Sequence, residues 1–345
     1  MEEVGIFSER NHNIIIIGCG KIVENSHLPT ILKSGRAKII ALIDKNTENA
    51  FRLKKKYSID CQIAEDISLI EEKIDVAIIA TPNNTHYPIA TDCLERNISV
   101  LIEKPMCIKS REAIELCSLA KEKKLFISVS YWTRYLENIS LMKELLETNY
   151  FGKILSYEFE FGTVGGWAPL SGYSINSEQS GGGVLMINGT HIIDRLLYWF
   201  GEPDSFEYED DSHGGVEANC KAKFLYRNGL GEFSGSIFLS KTVSLKNRTI
   251  LNFETSVCEI KEGQDEPIRV YPKQDKNIQY EISRRYRTKE KVKNPFDVQF
   301  DNFIECIEGC AQPTVDGNFA KKSVLLIEKM YNKKKQINEP WIIRI

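Results

Sequence analysis

The strongest constraint on the fold is one junction near the N-terminus. Asn13 to Ile17, purely aliphatic from Ile14, reads as a strand that passes directly into Gly18-Cys19-Gly20-Lys21-Ile22-Val23. A buried strand ending in Gly-x-Gly and opening into a helix has a physical reading. Gly18 permits a tight turn, Gly20 lets the backbone approach a pyrophosphate, and the helix N-terminus offers it unpaired N–H groups, so Lys21 and Ile22 join the contacts. The next β-branched run, Lys38 to Ile43, ends in Asp44, at roughly the 20-residue spacing where an acid meets the ribose hydroxyls of a dinucleotide. Val23 stands where a third glycine would govern packing, which places the helix slightly farther from its strand. The charge of Asp44 repels a 2′-phosphate and favours NAD, whereas Lys45 would partly accommodate one and leaves NADP open.

The same rhythm continues through the first third. Asp75 to Ala80, Ile98 to Ile102 and Phe126 to Ser130 read as strands buried on both faces, and Thr47 to Tyr57, Thr85 to Arg96 and Ser110 to Lys124 as helices. Thr47 and Ser110 suit N-caps, and Ile114, Cys117 and Lys121 space along one face. This is the pattern of a doubly wound parallel sheet, in which ligands bind beyond the carboxyl ends of the strands. Thr81, Pro82, Asn83 and His86 follow one strand there as candidate cofactor contacts, although helix capping explains the turn about as well. Glu103-Lys104-Pro105 follows another. A lysine at that edge can bind a substrate hydroxyl and stabilise alkoxide character during hydride transfer.

From about Lys153 period-two strings appear: 154–161, 221–226, 231–240 and 248–254. They read as antiparallel strands with one wet face. Helical patterns follow at 192–199, 295–310 and 319–331, and Leu136 to Thr148 reads as a bridge between domains. At 345 residues the chain has room for two domains. The expected fold is α/β: a Rossmann domain over 1–130, then an α+β domain over 131–345 with an open, mainly antiparallel sheet for substrate binding and oligomerisation.

Composition narrows the partners. A net charge of −3 gives no footprint for nucleic acid or anionic membrane, which leaves a small molecule. The longest aliphatic runs are far shorter than the roughly 20 residues of a bilayer span, and Met1 to Asn13 has no apolar signal core, so a cytoplasmic protein is expected. Nine widely spread cysteines without a CxxC pair argue against a disulfide framework or zinc ribbon, and no metal is expected.

Taken in order, GCGKIV with HLP at 27–29, ATPNNTH at 80–86, EKP at 103–105, GGG at 181–183 and GTHIID at 189–194 resemble the Gfo/Idh/MocA family of NAD(P)-dependent oxidoreductases. FDNFIECIEGCAQPTVDG is similar to that family's penultimate helix and loop. The resemblance implies action on the secondary hydroxyl or ketone of a sugar, sugar nucleotide or cyclic polyol, and a homodimer or homotetramer formed through the open sheet. It makes Lys104 the lysine that touches nicotinamide ribose and substrate, and His191 the proton-transferring residue, a role that imidazole suits. The family often carries Asp four residues before this histidine; here the place is Ile187, flanked by Asn188. Asp194 is then the candidate to orient His191 or bind a hydroxyl. Arg134, Trp167, Tyr173 and Asn188 are candidates to line the sugar pocket. A transient-oxidation eliminase and a non-catalytic nucleotide-binding scaffold are the alternatives on the same framework.

Overall fold

The computed structural model describes residues 11–165, 172–284 and 293–337. Six parallel strands form the first sheet: β1 (His12–Ile17), β2 (Ala37–Ile43), β3 (Gln62–Ala64), β4 (Val76–Ile79), β5 (Ser99–Ile102) and β6 (Ile127–Val129), in the order β3-β2-β1-β4-β5-β6. Strand order reverses between β1 and β4, which opens a crevice at their carboxyl ends. Register makes that edge straight. Ile17 is level with Ile43 and Ile79, Ile79 with Ile102, and Ile102 with Val129. The residues that follow the strands, Gly18, Asp44, Ala80, Glu103 and Ser130, therefore line one rim.

Apolar clusters cover both faces of this sheet. Ile14, Ile16 and Leu42 pack on one side with Leu28 and Leu53, and Ile15, Ile79 and Ile102 on the other with Leu94 and Leu116. In the helix Ser110–Lys123 the inward face is Ala113, Leu116 and Ala120, while Ile114 is 47% exposed, one position off the face read from the sequence. The cap of Thr47–Tyr57 also falls a residue early: Asn46 accepts the Glu48 N–H at 3.2 Å, and Lys109 precedes the other helix. Ser110 bonds Glu328 instead.

The second sheet has nine strands: β7 (Ile154–Gly162), β8 (Ser205–Asp210), β9 (Asn219–Asn228), β10 (Gly231–Ser240), β11 (Arg248–Phe253), β12 (Ser256–Lys261), β13 (Ile268–Pro272), β14 (Tyr280–Ile282) and β15 (Lys335–Gln336). Their order is β14-β13-β12-β11-β7-β10-β9-β8-β15, antiparallel except for β7 with β10 and β8 with β15. The inner face packs on helices Glu137–Glu147 and Thr190–Phe200. The outer face carries Glu160, Arg248 and Glu259, with Arg248 bonded to both carboxylates at 2.8 and 2.9 Å.

Leu136 to Thr148 does not bridge the domains, because Ile139, Met142 and Leu146 all sink into the second core. The ties come from the end of the chain. Helix Pro295–Ile307 returns to the parallel sheet and buries Phe300 and Phe303 beside Ile14 and Ile16, at roughly 1.5–3 kcal/mol for each ring removed from water. Helix Gly317–Asn332 divides its apolar residues, Ala320 and Val324 entering the first core and Leu326, Ile327 and Met330 the second. The two sheets are thereby held across the rim of β1, β4 and β5.

Candidate active site

At the head of β1, Gly18 has φ +94°, and a Cβ there would lie 2.4 Å from the Ala80 carbonyl oxygen. Only glycine fits. A Cβ on Gly20 would meet nothing within 4 Å, so the loop presents open backbone where the chain turns helical from residue 21. Asp44 braces the loop: its Oδ2 accepts the Cys19 N–H at 2.8 Å and its Oδ1 the Asn46 N–H at 2.8 Å. Ile22 is 36% exposed, and Lys21 pairs with Glu24 at 2.9 Å. Glu24 also receives Arg52 at 2.8 Å and Lys56 at 2.7 Å, and these hydrogen bonds hold its carboxyl down at about 2. Lys45 is exposed, 3.7 Å from Asp66. Open backbone at a helix N-terminus, beside an acid at the end of β2, fits a dinucleotide. Gly18, Gly20, Lys21, Ile22 and Asp44 are the residues that would hold it.

The turn after β4 is held by contacts within the rim. Thr81 accepts the Thr85 hydroxyl, and Pro82 precedes the helix Asn83–Glu95. Asn83 donates its amide to the Ser180 carbonyl at 2.8 Å, which ties this turn to the second domain. His86 is wholly buried, with Nδ1 2.8 Å from the Pro105 carbonyl and Nε2 2.9 Å from that of Thr81. Burial pushes its imidazole below the usual 6.5 against the pull of those carbonyls. A neutral ring donates to only one of them, and either way His86 clamps two rim loops together instead of meeting a ligand.

The Lys104-Pro105 bond held by that clamp is cis. Glu103 is buried, accepts from His27 at 2.8 Å, and takes the Lys104 N–H at 3.2 Å. Burial would raise its carboxyl, but His27, Lys104 and Ser130 together bring it below the ordinary value. The Lys104 ammonium crosses to the second domain and donates to the Ile187 carbonyl at 2.7 Å. Burial lowers its pKa from 10.5, and the Glu103 charge opposes that. Ile187 contributes a backbone oxygen that grips Lys104 although its side chain is apolar. Among the described residues the Lys104 ammonium, which has three N–H groups, donates this one hydrogen bond.

Ile187 lies in a π-type turn, Leu185–Gly189, that leads into the helix Thr190–Phe200. Such turns recur at functional sites because the extra residue re-aims the neighbouring side chains. Here they are Asn188 and His191. Asn188 Oδ1 and His191 Nδ1 are both buried and have no hydrogen-bond partner among the described residues. Trp132 and Tyr131 meet the imidazole edge-on at 5.7 and 5.9 Å. Burial first, then the charges of Lys104 and Arg195, push His191 well below 6.5 and so favour its neutral form.

Asp194 does not serve His191. It is wholly buried, and its two oxygens receive Arg134 Nε and Nη2 at 2.6 Å each. The guanidinium lies over the rings of Phe319 at 3.7 Å and Tyr198 at 4.7 Å. Neither residue of this pair is free for a sugar or a proton, and together they anchor the His191 helix to the segment after β6. Tyr173, in the turn Tyr173–Ile175, stays at the rim: burial and the Glu103 charge raise its phenol above 10. Trp167 lies outside the described residues. Lys241 escaped the sequence reading. It is 4% exposed, and its ammonium is lowered by burial and by the charge of Lys104. No cluster of three His, Cys, Asp or Glu among the described residues could hold a metal, and no described helix is long and apolar enough to cross a membrane.

Comparison with known proteins agrees with this geometry. Residues 12–131 match the model of the Gfo/Idh/MocA oxidoreductase family's NAD-binding Rossmann fold, and residues 143–340 its C-terminal alpha/beta domain. D-glucoside 3-dehydrogenase of Escherichia coli is 26% identical over 250 residues, 70% of this chain and 69% of that protein. Glucose-6-phosphate 3-dehydrogenase of Bacillus subtilis is 26% identical over 260 residues, 72% of this chain and 68% of that one. The crystal structure of the WlbA dehydrogenase from Bordetella pertussis, in complex with NADH and UDP-GlcNAcA, superposes with a TM-score of 0.80 at 20% identity, covering 95% of this chain and 96% of that one. With both domains matched by that family's models over most of the chain, the protein belongs to the Gfo/Idh/MocA family of NAD-binding oxidoreductases.

Proposed function

We propose that the enzyme moves a hydride between nicotinamide and a secondary hydroxyl or ketone of a carbohydrate-like substrate: a sugar, sugar nucleotide or cyclic polyol. One observation carries the reading. The Lys104 ammonium, fixed by Ile187, shares a buried site with the neutral imidazole of His191 and the unpaired oxygen of Asn188. A cation, a base and an additional acceptor suit a ligand rich in hydroxyl groups. The names of the two curated relatives, both sugar 3-dehydrogenases, support the substrate class.

Bound NAD supplies the hydride acceptor. Lys104 donates to the reacting oxygen and stabilises the negative charge that grows on it. His191 takes the hydroxyl proton as the carbon–oxygen double bond forms, and returns one in the reverse direction. Asn188 accepts from a neighbouring hydroxyl, Tyr173 borders the cleft, and Trp132 with Tyr131 keeps His191 in place and dry. The outer face of the nine-stranded sheet, with its Glu160, Arg248 and Glu259 network, is the proposed seat of a second copy, giving a homodimer or homotetramer.

The test is a pair of variants. Lys104→Ala removes the charged donor and His191→Ala the base, and each is expected to lower kcat by roughly 10²–10³ while NADH still binds. Full turnover in both variants, on any sugar the wild type oxidises, overturns the assignment.

A further inference from the structure

The glycine run at 181–183 stands immediately before the active-site turn, and two of its members are required by contacts with other elements. A Cβ on Gly182 would lie 2.1 Å from the Tyr331 hydroxyl oxygen, and one on Gly183 1.9 Å from the Glu217 carbonyl oxygen. Tyr331 belongs to the helix Gly317–Asn332, which divides its apolar residues between the two cores, and Glu217 to the loop between β8 and β9. Only glycine lets them come this close. Glu217 is 2% exposed. Its Oε2 accepts the Gly183 N–H at 2.8 Å and its Oε1 the Leu185 N–H at 2.9 Å, while its own carbonyl accepts the Val184 N–H at 2.9 Å. The Tyr331 hydroxyl donates to Oε1 at 2.8 Å.

These bonds lead step by step to the reacting groups. The carbonyl of Gly183 accepts the Ile187 N–H at 2.9 Å, and the Ile187 carbonyl in turn takes the Lys104 ammonium at 2.7 Å. Leu185, held by Oε1, opens the π-type turn that carries Asn188 and leads to His191. N–H groups at the start of a helical segment have no partner within it, and a carboxylate satisfies two of them here with charge-assisted bonds. The choice of an acid is costly. Among the described residues the three donors that meet the carboxylate include no cation. Burial raises it above the usual value, against the hydrogen bonds from Tyr331, Gly183 and Leu185. An apolar side chain would fill the same space at lower cost. What the carboxylate adds is direction, because its two oxygens fix positions 183 and 185 at once. Burial and the Glu217 charge hold the Tyr331 phenol well above 10, so it stays a donor.

We propose that Glu217, buttressed by Tyr331, is a positioning residue for the active site: it sets the turn so that the Ile187 carbonyl meets Lys104 and His191 faces the reacting oxygen. The proposal rests on the sugar-oxidoreductase reading and adds the group that orients its two reacting residues. Glu217 acts through the backbone of residues 183–185, not on the substrate itself.

Glu217→Gln keeps the shape of the side chain but puts an amide NH2, which cannot accept, where an oxygen met a backbone N–H. A misplacement of about 1 Å at the reacting groups can lower turnover by about 100-fold. On a sugar that the wild type oxidises, kcat is therefore expected to fall by about 10- to 100-fold, with the KM for NAD within about threefold of the wild type. Tyr331→Phe removes a single donor and is expected to lower kcat by a smaller factor, about two- to tenfold. A second readout needs no sugar. Isotope-labelled histidine is titrated by NMR in the NADH complex, and the His191 signal is assigned by its loss in His191→Ala. In Glu217→Gln the pKa of His191 is expected to move up toward 6.5, as the turn leaves Lys104 and water reaches the ring. Wild-type kcat and an unmoved His191 titration in Glu217→Gln, with only the melting temperature lowered, reduce the carboxylate to a structural role and overturn the proposal. If that variant does not bind NADH, Tyr331→Phe decides by the same two readouts. If the wild type turns over no sugar, the oxidoreductase reading falls, and an unshifted His191 signal still overturns the positioning role.

Discussion

Asp194→Ala separates a structural ion pair from a catalytic carboxylate. The substitution removes both oxygens that receive Arg134 at 2.6 Å, from side chains that are 0% and 1% exposed. The stranded guanidinium would keep only a long contact, 3.4 Å, to the Thr314 carbonyl and its two aromatic rings. Removing one partner of a buried pair typically costs about 3–5 kcal/mol, because the other charge is left desolvated. At about 2–4 °C per kcal/mol for a domain of this size, the melting temperature should fall by roughly 6–20 °C. Thermal melts followed by circular dichroism measure this directly. A double variant, Arg134→Met with Asp194→Leu, removes both charges and should recover most of the loss, since apolar replacement of a buried pair is often neutral. A single variant that melts like the wild type but has lost turnover would falsify the structural role and return Asp194 to the chemistry.

The pH profile of kcat/KM for oxidation should be broad. Imidazole must be neutral to accept a proton, so activity falls as pH drops through the pKa of His191, which burial and two cations place below 6.5; an acid limb at 6.5 or above contradicts that. Lys104 must keep its proton, so activity falls as pH rises through a pKa that burial has brought below 10.5. Gly18→Ala forces a Cβ onto the Ala80 carbonyl at φ +94° and should destabilise by about 1–3 kcal/mol in a denaturant melt. Gly20→Ala should change stability by no more than about 0.5 kcal/mol. Its added methyl instead weakens NADH binding by roughly tenfold, about 1.4 kcal/mol; unchanged NADH affinity speaks against a pyrophosphate at this loop.

The parallel sheet was readable from the sequence because its strands are buried on both faces and appear as continuous apolar runs. The edge strand Gln62–Ala64 was not. It is three residues long with Gln62 exposed, too short to show a period. The Lys104 loop and His191 stood out because their chemistry resides in side chains. The role of Ile187 lies in a backbone carbonyl, which no residue type announces. Asp194 and Arg134 were chosen for charges that the fold spends on each other.

Label transfer follows the proposed hydride itself as it passes between a sugar carbon and nicotinamide, with Lys104 and His191 at the oxygen. A sugar oxidised by the enzyme, deuterated at the reacting carbon, is incubated with NAD, and the reduced cofactor is analysed by mass spectrometry. Deuterium on the nicotinamide ring, together with the keto-sugar and label transfer slowed roughly 10²–10³-fold in His191→Ala, is the predicted result. Consumption of the sugar with no label on the cofactor and no keto product contradicts the account.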